Sequence, residues 1–131
     1  MATVLVDTSA VYALVDRNDS CHEKAKQCLG ALAKERATPI LTNFIVAECH
    51  ALLLARHGAP LARRWLFENA WRVERVTEDD EDRAKEILHS HTDKTFSYTD
   101  ATSFAVMERL KMRRAFAYDR HFQQYGFTLA G

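Results

Sequence analysis

The sequence predicts an α/β fold in which a largely parallel sheet is sandwiched between layers of helices. Two observations predict it: short apolar runs that stop abruptly at a polar residue, and an apolar stripe at helical spacing after each of them. The chain has 131 residues, 47% hydrophobic and 27% charged, enough for one compact domain with its own core over residues 1–131.

Thr3-Val-Leu-Val6 reads as a buried strand, and Asp7-Thr-Ser9 after it as the start of a helix. A second helix follows a short turn. Ser20 and Glu23 have the spacing of a capping box, and Ala25, Cys28, Leu29 and Leu32 form a stripe that ends before Thr38-Pro39. Pro39-Ile-Leu41 is the next strand; it delivers the chain to Thr42-Asn43 and to a helix running to Gly58. Pro60 suits the first turn of another helix, whose Leu61, Trp65, Leu66 and Ala70 are expected to point inward. Arg72-Val-Glu-Arg-Val76 alternates as a strand does, and Thr77 to Asp80 again has capping-box spacing, opening a helix through Ile87 and Leu88. Past a polar loop, His89 to Thr95, a helix spans Ser97 to Met112, Ala115-Phe-Ala-Tyr118 is a strand, His121 to Tyr125 a turn, and Phe127 to Leu129 a last short strand. In sheets of this kind ligands bind beyond the carboxyl ends of the strands, near a switch in strand order.

Several classes of function are excluded early. Lys and Arg total 18, as do Asp and Glu, so a nucleic-acid partner has to be met by a local basic patch and not by overall charge. Cys21, Cys28 and Cys49 are odd in number and form no CxxC pair, which speaks against a disulfide framework or a thiolate zinc site and for a reducing compartment, the cytoplasm. The apolar start, Ala2 to Val6, is too short for a signal peptide, and no stretch approaches the ~20 apolar residues of a membrane span. With four glycines there is no Gly-rich phosphate loop.

The informative feature is a conflict between local pattern and charge. Asp7 and Asp119 end strands, Asp100 shares its helical face with Phe104 and Met107, and Glu48 shares its face with Phe44, Ile45, Ala51 and Leu52, where a lone carboxylate is costly to desolvate. Each has an ordinary structural use. Asp7 can cap the first helix, Asp100 can complete a capping box with Ser97, Asp119 can cap the turn after it, and Glu48 can pair with an arginine. Clustered acids raise one another's pKa and persist near neutral pH when a cation neutralises them. Oxygen ligands without thiolates suit Mg2+ or Mn2+, which activate water for attack on phosphorus. Thr8, Ser9 and Thr99 stand beside these acids and can orient a ligand or cap a helix.

Four segments carry these acids in order across nearly the whole chain: Val4-Leu-Val-Asp7-Thr-Ser9, Thr42-Asn-Phe-Ile-Val-Ala-Glu48, Ser97-Tyr-Thr-Asp100-Ala-Thr-Ser-Phe104 and Phe116-Ala-Tyr-Asp119-Arg-His-Phe122. Together they resemble the PIN-domain family, specifically the VapC-type toxin ribonucleases of toxin–antitoxin pairs. The resemblance implies a PIN-like three-layer sandwich, with Asp7, Glu48, Asp100 and Asp119 as an acidic quartet holding Mg2+ or Mn2+, and Thr8, Ser9 and Thr99 as secondary polar contacts. It implies an endoribonuclease that cuts by metal-activated water, leaving a 3′-hydroxyl and a 5′-phosphate. It also implies a homodimer and a VapB-like antitoxin whose tail enters the acidic groove. The position of the fourth acid varies in the family, so Asp93 is the substitute for Asp119.

Two basic stretches can meet RNA. Arg56, Arg63, Arg64, Arg72 and Arg75 surround Trp65, Phe67 and Trp71, but these tryptophans suit a core or a subunit contact, with the arginines on a solvated face. Arg109, Lys111, Arg113 and Arg114 lead into the strand ending at Asp119 and are favoured, so Arg113, Arg114, Arg120 and His121 are the expected RNA contacts. His89 and His91 are read as surface residues, and no thiol chemistry is assigned. The rival readings are a catalytically inactive PIN-like protein-binding module and a phosphotransfer protein of doubly wound fold. The four acids speak against the first; the absence of a D-x-D string at Asp7-Thr8-Ser9 speaks against a phosphatase of the second kind.

Overall fold

The computed structural model describes residues 2–130. In chain order it contains β1 (Thr3–Val6), α1 (Thr8–Val15), α2 (His22–Lys34), β2 (Thr38–Thr42), α3 (Asn43–His57) and α4 (Ala59–Glu68). There follow β3 (Arg72–Glu74), α5 (Glu78–Ser90), α6 (Tyr98–Arg109), β4 (Arg114–Phe116), α7 (His121–Tyr125) and β5 (Thr128–Leu129). The strands form one sheet in the order β3-β2-β1-β4-β5. Every pair is parallel, and Leu5 of the central strand β1 stands between Ile40 and Ala115. A strand covered on both faces must be apolar throughout, and Val4, Leu5 and Val6 are fully buried.

Strand order fixes the layers. The connections from β1 to β2 and β2 to β3 step one way across the sheet, and those from β3 to β4 and β4 to β5 step the other way. Right-handed crossovers therefore place α1–α4 on one face and α5–α7 on the other. The helix contacts follow this division: α1 packs on α2 and α3, α3 on α4, α5 on α6 and α6 on α7, with one exception, α3 meeting α6. That exception positions the site described below. Helix α6 is buried from Asp100 to Met107. Its Phe104 packs edge-on against Phe96 and Phe122 and stacks on Tyr125.

Some expectations are corrected. The helix from Glu78 continues through Ser90, so the polar loop is shorter than His89–Thr95. His91, read as a surface residue, is half-buried between Phe96 and Tyr125, with its ring bonded to the Ile87 carbonyl. The Ser20–Glu23 capping box does not form. Asp19 takes the Cys21 N–H instead, and α2 begins at His22 without a side-chain cap. Leu66 and Ala70 do not point inward: α4 buries Ala62 and packs Leu61 and Trp65 beside it, Leu66 is exposed although it stands one turn after Ala62, and Ala70 follows the end of the helix. The strand at Arg72 stops at Glu74, and the last strands are shorter than expected. No helix is long and apolar enough to cross a membrane.

Two helix ends close in the same way. After α2 the N–H groups of Arg36 and Ala37 return to Ala33 and Leu32; after α6 those of Lys111 and Met112 return to Glu108 and Met107. Both endings need a left-handed residue, and φ is 59° at Arg36 and 57° at Lys111. A side chain there costs about 1–2 kcal/mol, part of which glycine returns as chain entropy on folding. Lys111→Gly is expected to stabilise the fold by about 0.5–1 kcal/mol in urea titrations. An unchanged or lower midpoint contradicts that strain.

Candidate metal centre

Strand β1 is where the sheet changes direction, with β2 on one side and β4 on the other. The chain leaves β1 at Asp7 and runs from β4 to Asp119, so both acids stand in the crevice beyond the carboxyl ends of these two strands. Two hydrogen bonds join the two exits, and a third ties Ser9 to Asp7 within the first. The Asp7 N–H donates to the Phe116 carbonyl (2.9 Å), the Tyr118 N–H donates to Ser9 Oγ (2.9 Å), and Ser9 Oγ donates to Asp7 Oδ2 (2.6 Å). Helices α6 and α3 lean over the same edge. They bring Asp100 from one side and Glu48 from the other, and Glu48 and Thr99 line one shared cavity.

Each carboxylate is tied through one oxygen. Asp7 Oδ2 accepts from the N–H and hydroxyl of Ser9. Asp100 Oδ2 accepts from the Ser97 N–H (2.9 Å) and faces His121 Nδ1 at 2.7 Å. Asp119 Oδ1 accepts from the His121 N–H (3.0 Å), and Glu48 Oε1 accepts from Thr8 Oγ1 at 2.5 Å. The capping uses expected of Asp7, Asp100 and Asp119 are thus all present, and the same bonds fix where the other oxygens stand. Asp100 Oδ1 and Glu48 Oε2 take no hydrogen bond from the described residues, and the Asp7 and Asp119 carboxyls lie within hydrogen-bonding reach of each other.

Charge is uncompensated here. Among the described residues no lysine or arginine pairs with any of the four acids, and the sole basic neighbour in contact is His121, against Asp100. Burial, and next the negative charge of Asp119, push the Asp7 carboxyl up to about 8. Ligand atoms of Asp100, Asp119 and His121 lie within 4.8 Å of one another. Asp7 and Glu48 are not members of this group; Asp7 approaches it through Asp119, and Glu48 is turned toward it by Thr8. Carboxylate oxygens with one imidazole and no thiolate fit a divalent cation.

The other expected residues divide. Thr8 and Ser9 orient Glu48 and Asp7, and Thr99 lines the cavity beside Glu48. Glu48 itself is exposed, not buried. The inner stripe of α3 is Ile45, Cys49 and Leu53, and Glu48 sits on its margin. Asp93 is exposed, pairs with Lys94 and lies outside the cluster. The basic stretch favoured for RNA is displaced. Arg114 begins β4, at the edge opposite the acids, where it forms a two-pronged pair with Glu35, and Arg113 lies before it. Arg109 is also spent, on Asp80, Glu74 and the Arg75 carbonyl. A strand that ends at an acid starts about 10 Å away, so basic residues leading into it cannot share the acid's edge. Arg120 stays exposed beside Asp119. His121 stands inside the acidic cluster; its neighbourhood to Asp119 was visible in the sequence, its contact with Asp100 was not.

Comparison with known proteins gives one consistent result. The sequence matches the PIN domain family over residues 4–128. It is 35% identical over 128 residues to the 23S rRNA-specific endonuclease VapC20 of Mycobacterium tuberculosis, covering 95% of both proteins. Against ribonuclease VapC26 of the same species the identity is 27% over 123 residues, covering 91% of this chain and 89% of the relative. The crystal structure of VapC20, described as a sarcin–ricin loop cleaving toxin, superposes with a TM-score of 0.85 at 33% identity, over 95% of this chain and 96% of that one. A toxin–antitoxin complex from Klebsiella pneumoniae shares the fold, with a TM-score of 0.64 at 15% identity over 89% and 87% of the two chains.

The raised Asp7 carboxyl makes metal-free stability depend on pH. Below the ordinary 3.8 both folded and unfolded chains hold the proton; from there to about 8 only the folded chain does, so stability falls as pH rises through that window. In the presence of chelator, Asp7→Asn is expected to flatten this dependence and to exceed the parent chain by about 2 kcal/mol at pH 8. Added Mn2+ is expected to raise the melting temperature of the parent and not of the variant. Parallel pH profiles for the two chains contradict the electrostatic account.

Proposed function

The chain belongs to the PIN-domain family, and on that premise we propose that it is an endoribonuclease whose Asp7, Glu48, Asp100 and Asp119 hold Mg2+ or Mn2+ against an RNA phosphodiester. The observation that carries this reading is the set of four acids, from β1, α3, α6 and the end of β4, each with one oxygen anchored. Relatives named as ribonucleases over nearly the full chain support the choice of RNA as the substrate. A bound divalent ion supplies a water of lowered pKa and positive charge for the crowded phosphate oxygens.

The protein's own part is positioning. Ser9 and the Phe116 carbonyl fix Asp7 at the exit of β1, and Ser97 and His121 hold Asp100 by the same oxygen, so its other oxygen has one direction. Thr8 draws the exposed Glu48 toward the crevice, which a free glutamate on a helix surface has no reason to enter. His121 is a positioning residue for Asp100, and its Nε2 stands 3.5 Å from Thr95 Oγ1. Arg120, exposed beside Asp119, is a contact for the RNA backbone. Hydrolysis through an activated water leaves a 5′-phosphate and a 3′-hydroxyl.

The same reading includes a VapB-like antitoxin as inhibitor, a homodimer and a cytoplasmic setting. Fold likeness to a toxin–antitoxin complex supports the first. Exposed Leu54 and Phe67 on α3 and α4 support the second, and three free cysteines support the third.

The test is cleavage of total RNA, including 23S rRNA, with Mg2+ or Mn2+. Chelator is expected to abolish cutting, and Asp7→Asn, Asp100→Asn and Glu48→Gln each to lower it by at least about 100-fold. Glu48→Gln is expected to melt no lower than the parent, because a charge leaves the cluster. RNA that survives every metal condition, or a variant that cuts like the parent, overturns the assignment.

A further inference from the structure

The crevice does not end at the acids. Two cavities of about 540 and 560 Å3 adjoin along α3, and Asn43 and Ala47 line both. The first holds Glu48 and Thr99; the second continues past His50 to Trp71, Val73 and Arg75. Asn43, Ala47 and His50 follow one another at helical spacing on one face of α3, about 10 Å of helix. Since β3 runs parallel to β2, the second cavity follows β3 from Trp71 at its amino end to Arg75 at its carboxyl end, and the Arg75 end meets the edge of the sheet that carries Asp7, two strands away.

The chemistry changes sign along this path. Glu48 lines the first cavity, whereas no acid lines the second. Neighbouring arginines are committed: Arg72 pairs with Glu74, and Arg109 with Glu74 and Asp80. The guanidinium of Arg75 is exposed and forms no ion pair among the described residues, so it is the cation left at this end. Asn43 receives the Val76 N–H on its carbonyl oxygen, which turns its NH2 group into a spare donor at the junction of the two cavities. Trp71 and Val73 supply apolar wall. A flat apolar wall beside an unpaired cation, with amide and imidazole donors, is what a nucleobase and its phosphate require.

We propose that this second cavity is a nucleotide subsite, in which a base of the RNA flanking the cut bond lies against Trp71 while Arg75 and His50 take its phosphate. The subsite rests on the endoribonuclease reading and adds a grip on the substrate away from the chemistry. A metal-held phosphate at the acids and an arginine-held phosphate at β3 together set the direction of the strand across the sheet edge. The stretch around Trp71 thus regains the RNA role for which the stretch leading into β4 looked better suited from sequence.

The test uses an uncut complex: Asp7→Asn chain in chelator with a fluorescein-labelled 12-nucleotide single-stranded RNA. Adding Arg75→Ala or His50→Ala is expected to weaken binding about three- to tenfold. Arg75→Ala is also expected to flatten the dependence of log K on log salt by about 0.7, one phosphate contact. In a Trp65→Phe background, RNA is expected to quench the remaining Trp71 fluorescence. Arg75 has no structural partner, so melting temperatures are expected to stay level. Unchanged affinity and salt slope with active wild-type cleavage overturns the subsite alone; a parent that neither binds nor cuts RNA overturns the endoribonuclease reading with it. Arg75→Ala that shifts the chain between monomer and dimer, at constant RNA affinity, assigns the cavity to self-association instead.

Discussion

Mutual repulsion of carboxylates is the constraint to which the rest of this molecule is fitted. Asp7 and Asp119 face each other across the exits of two adjacent strands, and Asp100 and Glu48 are brought in from helices on opposite faces of the sheet. Left to themselves these groups would turn outward to water or, in the case of Asp7, stay protonated. What prevents the first is a set of short-range donors: Ser9, Ser97, Thr8 and the N–H of His121, each pinning one oxygen. Nothing within the protein prevents the second for Asp7. On the proposed reading a cation makes up the charge deficit, and it would bind the more strongly the less the protein itself neutralises the pocket.

Folding and chemistry share the same bonds at this edge. Asp7 starts α1, Asp100 closes the capping box of α6, and Asp119 shapes the turn into α7. An acid that caps a helix is positioned by the formation of that helix, so the site is assembled before any ligand arrives. The arginines follow the opposite rule. Arg109 neutralises Asp80, whose burial alone would push its carboxyl up and which Arg109 and Thr77 hold below its ordinary range. Arg114 serves Glu35 and Arg83 serves Glu108. Keeping these three cations occupied elsewhere leaves the four acids without an arginine partner among the described residues.

Much of this was legible in the sequence because strand ends are legible. An apolar run that breaks at Asp7 or shortly before Asp119 gives both the element and the edge on which its acid stands, and capping-box spacing gave the orientation of Asp100. Glu48 was legible as an acid out of place, though for the wrong reason: it was expected inside the protein, and it lies on the surface, held by a threonine 40 residues earlier in the chain. Non-local pairs of this sort leave no periodic signature. The same limit explains the basic residues. Proximity in sequence favoured Arg113 and Arg114, but a strand separates its two ends in space, and the partner of Arg114 lies 79 residues away. The failed cap at Ser20 is more local, since Asp19 offered a competing acceptor one position earlier.

The sheet ends in strands of three residues at β3 and two at β5. So short a border presents hardly any unpaired peptide groups for an extended segment to zip onto. A second copy of the chain, or a peptide that blocks the crevice, has to gain its hold through side chains on the helices, and its recognition then depends on shape and composition in a way that backbone pairing does not.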